Sequence, residues 1–385
     1  MGKPKLIRVT TVPLSLEKLL EGQLRFMNTY FEVIAVSAEK ERLKDFAKKE
    51  GISYFFVNLT RKITPIKDAI AVFRLYLFLI KEKPLIIHTH TPKAGIVGMM
   101  AAWLAGVPYR LHTVAGLPLM EASGLKKKIL FFIEKLTYRF ASNVYPNSEG
   151  LFTFIITNKL LPKEKLTIIG NGSSNGIDTS YFSTSHFGAN YRKELRDKLG
   201  IPEDHFVFIF VGRLVRDKGI VELVNAFNSL SFKKTRLLLV GSEEIELDPL
   251  PKETILAIKD THSIISVGFQ NDVRPYFAVS DALVFPSYRE GFPNVVLQAL
   301  AMELPAIVSN INGCNEIVKH NYNGLIIPKK EMEPLTNAMQ LLLSDSEKYQ
   351  ILKKNTRSSI VTKYERQYLW EALLNEYQNL LKSDF

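Results

Sequence analysis

Cysteine and long apolar segments are scarce in this chain of 385 residues. Its single cysteine, Cys314, excludes an internal disulfide and is typical of a protein from a reducing compartment. The longest apolar runs, 94–105 and 206–211, are shorter than the roughly 20 residues of a membrane-spanning helix. The segment after Met1 lacks the apolar stretch of a signal peptide, and Leu6 does not fit the myristoylation pattern. We therefore expect a cytoplasmic protein without a lipid anchor.

Several nucleotide- and metal-binding motifs are also missing. There is no Gly-x-Gly-x-x-Gly after the first predicted strand and no Gly-Lys-Ser/Thr phosphate loop, which argues against dinucleotide enzymes and nucleoside triphosphatases. No Asp-x-Asp occurs, so a common carboxylate pair for a divalent cation is absent. His88 and His90 would share one strand face but lack a third ligand, and the alternative is that they lie in a core or a binding cleft. We expect no metal site.

Positive charge exceeds negative charge, and the excess lies in the first half of the sequence. The composition, 46% hydrophobic and 23% charged, is that of an ordinary globular protein, and the formal net charge is +11. Residues 1–180 hold 26 Lys and Arg against 14 Asp and Glu, whereas residues 181–385 hold 24 against 25. The basic first half indicates either an anionic partner or a charge that serves only solubility.

One basic segment narrows the choice of partner. Three lysines at 126–128 precede an apolar run at 129–133, within a predicted helix over 125–140. Leu125, Ile129, Phe132 and Leu136 would form one apolar stripe, as on a helix that lies on an anionic membrane. The alternative is a helix packed on a sheet with its lysines in water. Since no nucleic-acid-binding motif accompanies the charge, we expect no nucleic acid partner.

Short strand-like runs alternate with helical patterns along the whole chain. This alternation predicts parallel sheets with helices on both faces, an α/β architecture. The segment 170–190 is rich in Gly, Ser, Thr and Asn and is the expected linker. We predict two Rossmann-like doubly wound domains, 1–185 and 186–365, with a C-terminal helix at 366–385 that packs back on the first. Ligands bind beyond the carboxyl ends of the strands in such sheets, so we expect a site in a central cleft between the domains.

The predicted elements follow from these apolar patterns. The predicted strands are 6–12, 31–36, 53–57, 85–89, 109–114, 143–145, 166–169, 206–211, 235–240, 264–267, 282–285, 306–308 and 325–327. The predicted helices are 65–81, 93–104, 125–140, 219–229, 272–278, 294–302, 334–344 and 365–382.

A first motif runs from Phe210 to Gly219. A buried strand ends at its start, Gly212 permits a tight exit, and a helix begins near Gly219. Arg213 and Lys218 are then two cations held between a strand end and a helix start, a placement suited to neutralising a diphosphate. Taken alone, the motif would be interpreted as surface charges in a strand–helix loop.

A second motif, 287–299, follows the predicted strand at 282–285. Pro293 is placed as the first residue of a helix, whose free backbone N–H groups and dipole would form an anion site. Glu290 precedes this helix and offers a carboxylate to hydroxyl groups, or alternatively only caps the helix. Gln298 lies one helical turn after Asn294 and faces the same way.

Together, these motifs resemble those of the retaining glycosyltransferases of family 4, which have the two-domain GT-B fold. The resemblance covers most of the chain. In the first half, the segments 10–13, 88–95 and 112–116 are similar to those of members that build capsular and O-antigen polysaccharides on a lipid carrier. Further similar segments in the second half are 267–269, 280–281, 286–287, 305–309, 316–318 and 323–325.

The resemblance implies roles for individual residues. Arg213 and Lys218 would bind the donor diphosphate, and Glu290 would contact the hydroxyls of the donor sugar. His112, at the carboxyl end of a first-domain strand, would reach the transferred sugar from across the cleft. The other implied donor-binding residues are Gly212 in the first motif, Gly268 and Phe269 near the nucleotide base, and Gly291, Phe292, Pro293, Asn294, Val295 and Gln298.

One position departs from the family pattern. Where the family usually has a second Glu eight positions after the first, this chain has Gln298 after Glu290. A glutamine accepts a hydrogen bond from one ribose hydroxyl and donates to another, but it lacks charge-assisted strength. We therefore expect weaker donor binding rather than lost activity.

The resemblance implies an enzyme that transfers a sugar, with retention of anomeric configuration, from a nucleotide diphosphate-sugar. UDP is the expected nucleotide, and a polyprenyl diphosphate-linked saccharide is the expected acceptor. No cofactor is expected, and the basic first domain would contact the inner face of the cytoplasmic membrane. Two alternatives remain, namely a catalytically weak or inactive partner subunit of the same fold, suggested by Gln298, and a sugar-nucleotide epimerase.

Overall fold

Two structural units make up the protein, and the chain passes between them twice. The computed structural model describes residues 2–60, 62–244 and 248–382. One unit comprises the chain up to Asn175 and the segment from Gln367 onward, and the other runs from Gly176 to Arg366. The division after Asn175 lies before the predicted domain end at 185, inside the segment predicted as a linker. The C-terminal segment is part of the first unit.

The first unit is built on a parallel sheet. Its strands are β1 (Lys5–Val9), β2 (Glu32–Ser37), β3 (Ser53–Phe56), β4 (Ile86–His90), β5 (Tyr109–Val114) and β6 (Asn143–Pro146). They are arranged in the order β3-β2-β1-β4-β5-β6, and every neighbouring pair is parallel. The register sets Arg8 beside His88 and Thr89 beside His112. Since successive side chains of β4 point to opposite faces, Arg8 and His88 are neighbours on one face of the sheet, and Thr89 and His112 are neighbours on the other.

Helices cover both faces of this sheet. They are α1 (Pro13–Leu19), α2 (Gln23–Met27), α3 (Lys40–Glu50), α4 (Pro65–Glu82), α5 (Pro92–Leu104), α6 (Gly124–Phe140) and α7 (Glu149–Thr157). A proline with pre-set φ begins α1, α4 and α5. Side chains alternate across β1, since Ile7 and Val9 join the core under α4 and α5, whereas Leu6 joins the core under α1 and α3.

The second unit repeats the architecture with a second parallel sheet. Its strands are β7 (Phe206–Val211), β8 (Thr235–Val240), β9 (Ile264–Ser266), β10 (Ala282–Phe285), β11 (Ala306–Ser309) and β12 (Gly324–Ile327). Their order is β12-β11-β10-β7-β8-β9. The helices are α8 (Ala189–Lys198), α9 (Ile220–Asn228), α10 (Lys252–Asp260), α11 (Arg274–Ala278), α12 (Asn294–Ala301), α13 (Cys314–Ile317), α14 (Met332–Ser344) and α15 (Ser346–Tyr364). The last helix, α16 (Arg366–Lys382), returns the chain to the first unit.

The predicted α/β class with two doubly wound domains is confirmed, and the differences are local. The predicted strand at 166–169 is wrong, because only Leu166 forms an isolated bridge, to Val144. The longest helix that the sequence did not predict is α15, which is polar around most of its surface. It is held by a narrow buried row that includes Leu352 and Ile360. No helix within the described ranges is both long enough and apolar enough to cross a bilayer.

Candidate functional site

The predicted donor residues gather at the carboxyl edge of the second sheet. Since its strands are parallel, the loops after β7, β8, β9 and β10 leave the same edge. Backbone hydrogen bonds join three of these exits. Gly212 N–H donates to Val240, 2.9 Å away, and Gly241 N–H donates to Gly268, 2.8 Å away. The topology therefore brings the two motifs together although they are far apart in the chain.

Gly219 lets the first motif lie against the second. Its φ is 72°, in the left-handed region that favours glycine, and it caps the start of α9. A Cβ atom at this position would lie 2.2 Å from the carbonyl oxygen of Pro286. Only a glycine fits this close approach, which seats Lys218 beside the loop that follows β10.

Lys218 and Glu290 are in direct contact. The Nζ atom of Lys218 forms an ion pair with Oε1 of Glu290, and Nζ also lies 5.5 Å from the centre of the Phe285 ring. The hydroxyl of Ser287, a fully buried residue, lies 2.9 Å from the same Oε1. A cation and a carboxylate from the two motifs thus form one site.

The loop that carries Glu290 is held from a distant part of the chain. Asn312 Nδ2 donates to the carbonyl oxygens of Glu290 and Gly291, at 2.6 and 3.0 Å. Asn312 and Ser287 were not among the predicted site residues. Ser287 lies inside the second motif, but no local pattern marks Asn312, whose role follows only from the packing of the loop after β11 on the loop after β10.

Arg213 has a different partner. Its guanidinium forms an ion pair with Glu244, in the loop after β8. The same loops are joined by an isolated bridge between Leu214 and Glu243. Each of the two predicted phosphate-binding cations therefore forms an ion pair with a different carboxylate. Glu244 was not among the residues predicted from the sequence.

Helix α12 begins at Asn294, the first residue of the predicted helix 294–302. Pro293, expected as the first helical residue from the second motif, is the N-cap with extended backbone. Phe292 and Pro293 are buried, whereas Asn294, Val295 and Gln298 are partly exposed at this end of the helix. Among the described residues, the Gln298 side chain has no hydrogen-bond partner.

The loop after β9 presents an aromatic surface. Phe269 is 64% exposed, which is unusual for a phenylalanine. Gly268, the residue before it, has a φ of 67° and accepts the backbone hydrogen bond from Gly241 at 2.8 Å. An exposed ring beside the phosphate-side loops is suited to stacking against a planar base.

His112 is buried in the first unit. It lies in the carboxyl half of β5, two residues before the strand ends at Val114, and the strand has the predicted bounds. The residue is 2% exposed, and its Nδ1 lies 2.7 Å from Oγ1 of Thr89. Burial lowers the pKa of His112 to about 4, so the ring is neutral at pH 7. A Cβ on Gly95 of α5 would lie 2.6 Å from Cε1 of His112, so this glycine makes room for the ring.

A buried polar cluster lies on the opposite face of the same sheet from His112. Arg8 is fully buried and donates to Gln23 Oε1 at 2.7 Å, to His90 Nε2 at 2.8 Å and to the Tyr377 hydroxyl at 2.9 Å. Because a guanidinium only donates, His90 accepts at Nε2 and carries its proton on Nδ1. Burial and the nearby Arg8 hold the pKa of His90 well below its ordinary value.

The protonation of the His88 ring follows from the same hydrogen-bond network. Since Tyr377 accepts from Arg8, its own proton points to Nδ1 of His88, 2.5 Å away. Nε2–H of His88 then donates to Oγ1 of Thr113 at 2.7 Å. Burial, followed by the adjacent His90, holds the pKa of His88 well below its ordinary value. Both nitrogens of His88 are engaged within the protein, which leaves no lone pair for a metal.

Metal-binding clusters are not found in the part of the chain that the structure describes. No group of three or more His, Cys, Asp or Glu side chains lies close enough together there to hold an ion. Cys314 is buried at the start of α13, and burial raises the pKa of its thiol well above the ordinary value. The thiol is thus protonated at neutral pH and unsuited to nucleophilic attack.

Two family models match the chain. The model described as "Glycosyl transferases group 1" matches residues 191–359. The model described as "Glycosyl transferase 4-like domain" matches residues 29–172. Each match falls within one of the two structural units.

Curated relatives and solved structures resemble the chain over most of its length. The capsular polysaccharide biosynthesis glycosyltransferase CapM of Staphylococcus aureus is 31% identical over 385 residues, 99% of each chain. The UDP-Gal:alpha-D-GlcNAc-diphosphoundecaprenol alpha-1,3-galactosyltransferase of Escherichia coli is 31% identical over 346 residues, 87% of this chain and 85% of that one. The crystal structure of HepE from Anabaena in complex with UDP has a TM-score of 0.82 and 20% identity, and the match covers 98% of this chain and 100% of that one.

Proposed function

The chain belongs to the glycosyl transferase group 1 family, and on this premise we propose that it moves a sugar from a nucleotide diphosphate-sugar to a lipid-linked saccharide in bacterial surface polysaccharide synthesis. The membership confirms the resemblance to the family 4 glycosyltransferases of GT-B fold, so the chain is an enzyme of this class. The contact between Lys218 and Glu290 carries the proposal, because it sets a cation for a phosphate beside a carboxylate for sugar hydroxyls.

The names of the relatives support the two substrate classes. The Escherichia coli relative is named for a UDP-sugar donor and a diphosphoundecaprenol-linked acceptor, and the Staphylococcus aureus relative is named for capsular polysaccharide biosynthesis. We propose UDP as the nucleotide and a polyprenyl diphosphate-linked saccharide as the acceptor. The basic first half of the chain, with Lys126, Lys127 and Lys128 exposed on α6, suits an anionic inner leaflet of the cytoplasmic membrane.

Sugar transfer requires that the second unit stabilise the departing diphosphate. As the bond between the anomeric carbon and the diphosphate oxygen breaks, negative charge grows on that oxygen. Lys218, Arg213 and the first N–H groups of α12 supply positive potential for it. No metal takes part in this proposal. For the diphosphate to bind, Lys218 and Arg213 exchange their carboxylate partners for phosphate oxygens.

Retention of configuration is proposed to follow from attack on the same face. The acceptor hydroxyl forms the new bond to the anomeric carbon on the side that the diphosphate leaves, and its proton passes to a departing phosphate oxygen. Glu290 accepts from hydroxyls of the donor sugar and fixes its orientation. His112, neutral at pH 7, is suited to hydrogen bonding rather than to charge stabilisation. Its contact with the transferred sugar remains a prediction.

The two alternatives are less well supported. Family membership favours sugar transfer over an epimerase. The Lys218–Glu290 contact is intact, which favours an active enzyme over an inactive partner subunit. Gln298 then affects how strongly the donor binds.

The test compares Lys218→Ala and Glu290→Gln with the wild-type enzyme. Transfer from a panel of UDP-sugars to a polyprenyl diphosphate-linked saccharide is followed by mass spectrometry, and NMR gives the anomeric configuration. Lys218→Ala is expected to lower kcat by about 100- to 1000-fold, the effect of removing one charge-stabilising contact. Glu290→Gln is also expected to lower kcat, because the donor sugar loses the carboxylate that orients it. Lys234→Ala, which removes an exposed ion pair with Asp204 in the same unit, is the matched control and should leave kcat unchanged. Unchanged transfer by both site variants, or an epimerised sugar in the absence of acceptor, contradicts the proposal.

A further inference from the structure

Helix α4 exposes a row of large apolar side chains. Their exposed fractions range from 45% to 79%, and each exceeds the exposure expected of a core-facing residue. The members of this outer stripe are Ile66, Ile70, Phe73, Leu77 and Ile80. Their spacing alternates between four and three residues, so they lie along one side of the helix.

The opposite side of α4 already supplies the packing that holds the helix. Ala71, Leu75 and Leu79 are buried in the core of the first unit. The outer stripe therefore contributes nothing to this core, although isolated exposed apolar residues are ordinary in proteins. A continuous stripe over four turns is different, because such patches mark surfaces that are covered by a partner or a membrane.

The charges of α4 indicate the chemistry of what covers the stripe. Lys67, Arg74 and Lys81 are exposed and recur every seven residues, so they form one row along the edge of the stripe. The acids of the helix, Asp68 and Glu82, are paired with Lys93 and Lys5. An apolar stripe with a row of cations along its edge is suited to an anionic membrane, where the stripe contacts acyl chains and the cations contact the headgroups above them.

Neighbouring helices extend the same surface. Helix α5 packs against both α4 and α6, so the three form one layer on one face of the sheet. Trp103 at the end of α5 is 52% exposed. On α6 the predicted apolar stripe is turned outward, with Leu125 and Phe132 73% and 66% exposed, next to the exposed lysines at 126–128.

We propose that the outer stripe of α4 inserts into the acyl layer of an anionic membrane, and that α6 supplies the electrostatic part of the attachment. This inference rests on the proposed function, in which the acceptor is held in that membrane. A second copy of the chain fits the surface less well. In an antiparallel pair of α4 helices the row of Lys67, Arg74 and Lys81 would face its own copy, and like charges repel.

The test separates the apolar from the electrostatic contribution. Binding to vesicles of phosphatidylglycerol and phosphatidylethanolamine is measured by co-sedimentation at about 0.1 M and about 1 M salt, where the Debye length falls from about 10 to about 3 Å. The double variant Phe73→Glu, Leu77→Glu is expected to bind at least about tenfold more weakly at both salt concentrations, because the stripe no longer partitions into acyl chains. The triple variant Lys126→Glu, Lys127→Glu, Lys128→Glu should bind more weakly mainly at the lower salt concentration, because it loses the electrostatic attraction to the vesicles.

The matched control is Ile351→Glu, an exposed apolar position on α15 in the second unit, which should bind vesicles as the wild type does. Phe73→Trp in a Trp103→Phe, Trp370→Phe background provides a direct readout of insertion. Its fluorescence should shift to shorter wavelength on vesicles and be quenched by lipids brominated in their acyl chains. Undiminished binding by the double variant at 1 M salt, or no quenching of the tryptophan, overturns the proposal.

Two further measurements keep the outcome unambiguous. If sedimentation shows that Phe73→Glu, Leu77→Glu dissociates a dimer while vesicle binding is unchanged, a second copy covers the stripe and the proposal is wrong. Sugar transfer to a short-chain, water-soluble acceptor analogue should be equal in the double variant and the wild type. Absence of transfer in both would refute the proposed function, whereas the vesicle result would still decide the role of α4.

Discussion

At the scale of single residues, the second unit balances each predicted donor cation with a carboxylate of its own. The side chains of Lys218 and Glu290 are 17% and 15% exposed, so their pair is largely shielded from water. Arg213 is half exposed, and exposed ion pairs contribute only about 0–1 kcal/mol. We therefore expect a diphosphate to displace Glu244 from Arg213 easily, whereas Lys218 gives up its partner only to a ligand that also satisfies Glu290.

Gln298 offers a test of the one departure from the family pattern. Gln298→Glu restores a carboxylate on α12, and hydrogen bonds to a charged acceptor are about 1 kcal/mol stronger than neutral ones. The KM for the nucleotide-sugar is expected to fall by about fivefold with little change in kcat. Steady-state kinetics at saturating acceptor measure both constants.

The control for this substitution is Gln340→Glu, the same change at a half-buried position on α14. It should leave the donor KM unchanged. A donor KM that rises or stays constant in Gln298→Glu would show that this side chain does not bind the ribose.

At the scale of elements, the apolar stripe that the sequence predicts on α6 faces away from the core of the first unit. The buried residues of this helix are Glu134, Thr137 and Tyr138, while the apolar stripe faces outward. Both the stripe and the lysines are therefore exposed, while Leu130, Phe131 and Tyr138 of the same helix pack on the core of the first unit. This arrangement agrees with the alternative of a packed helix with its lysines in water, and membrane contact stays a prediction. An exposed apolar stripe on a helix that already packs on a core with its other side is typical of a surface that is covered from outside.

The buried carboxyl of Glu134 makes stability depend on pH. Burial raises its pKa to about 7 from an ordinary value of 4.5, so the folded protein holds a proton that the unfolded chain has lost between these values. The free energy of unfolding therefore decreases as the pH rises from about 4.5 to about 7, by up to about 3 kcal/mol. Glu134→Gln should remove this loss and be more stable than the wild type at pH 8.

Urea unfolding at pH 5 and pH 8 measures the effect. The two tryptophans, Trp103 and Trp370, both lie in the first unit, so their fluorescence follows the unit that contains α6. Glu164→Gln, at an exposed position of the same unit, should keep the pH dependence of the wild type. An unaltered pH dependence in Glu134→Gln would exclude this carboxyl as its source.

At the scale of the whole molecule, the chain leaves the first unit at Asn175 and re-enters it at Gln367. The first unit is therefore complete only when α16 is added to it. Tyr377 of α16 is fully buried and joins Arg8 of β1 to His88 of β4 by hydrogen bonds. These partners come from opposite ends of the sequence, so the cluster fastens the C-terminus to the centre of the first sheet.

Tyr377→Phe tests this fastening. The change leaves a donor of Arg8 and Nδ1 of His88 without their partner in a buried environment, which costs about 1–3 kcal/mol. The tryptophan fluorescence transition in urea should shift to lower concentration by the corresponding amount. Binding of the nucleotide-sugar, which we assign to the second unit, should be unchanged.

Tyr349→Phe provides the comparison from the second unit. The Tyr349 hydroxyl donates to the carbonyl oxygen of Asp281 at 3.2 Å, so its removal breaks a partly buried hydrogen bond. It should leave the tryptophan transition in place. Equal shifts in the two variants would indicate that the effect is general rather than specific to the attachment of α16.

The sequence was sufficient for much of the fold. Four strands, at 109–114, 206–211, 235–240 and 282–285, were predicted with the bounds that the structure has. Three of them are largely apolar runs followed directly by a glycine or a proline, whereas 109–114 is half polar and is followed by a glycine at 116. Helices α8, α10 and α15 are among those that were not predicted. Helix α8 has no fully buried residue, the buried faces of α10 and α15 are narrow, and all three are rich in charged residues, so their composition resembles that of solvated loops.

By itself, the sequence determined the residue types of the site and their order, because motifs such as 212–219 and 287–299 are local in the chain. Only the tertiary structure decided which of them meet. The partners of Arg213 and Lys218, the depth of His112 in β5 and the outward turn of the α6 stripe each depend on residues far away in sequence. The physical reason is that burial and ion pairing depend on how the elements pack. A local sequence pattern does not specify which distant residues that packing brings into contact.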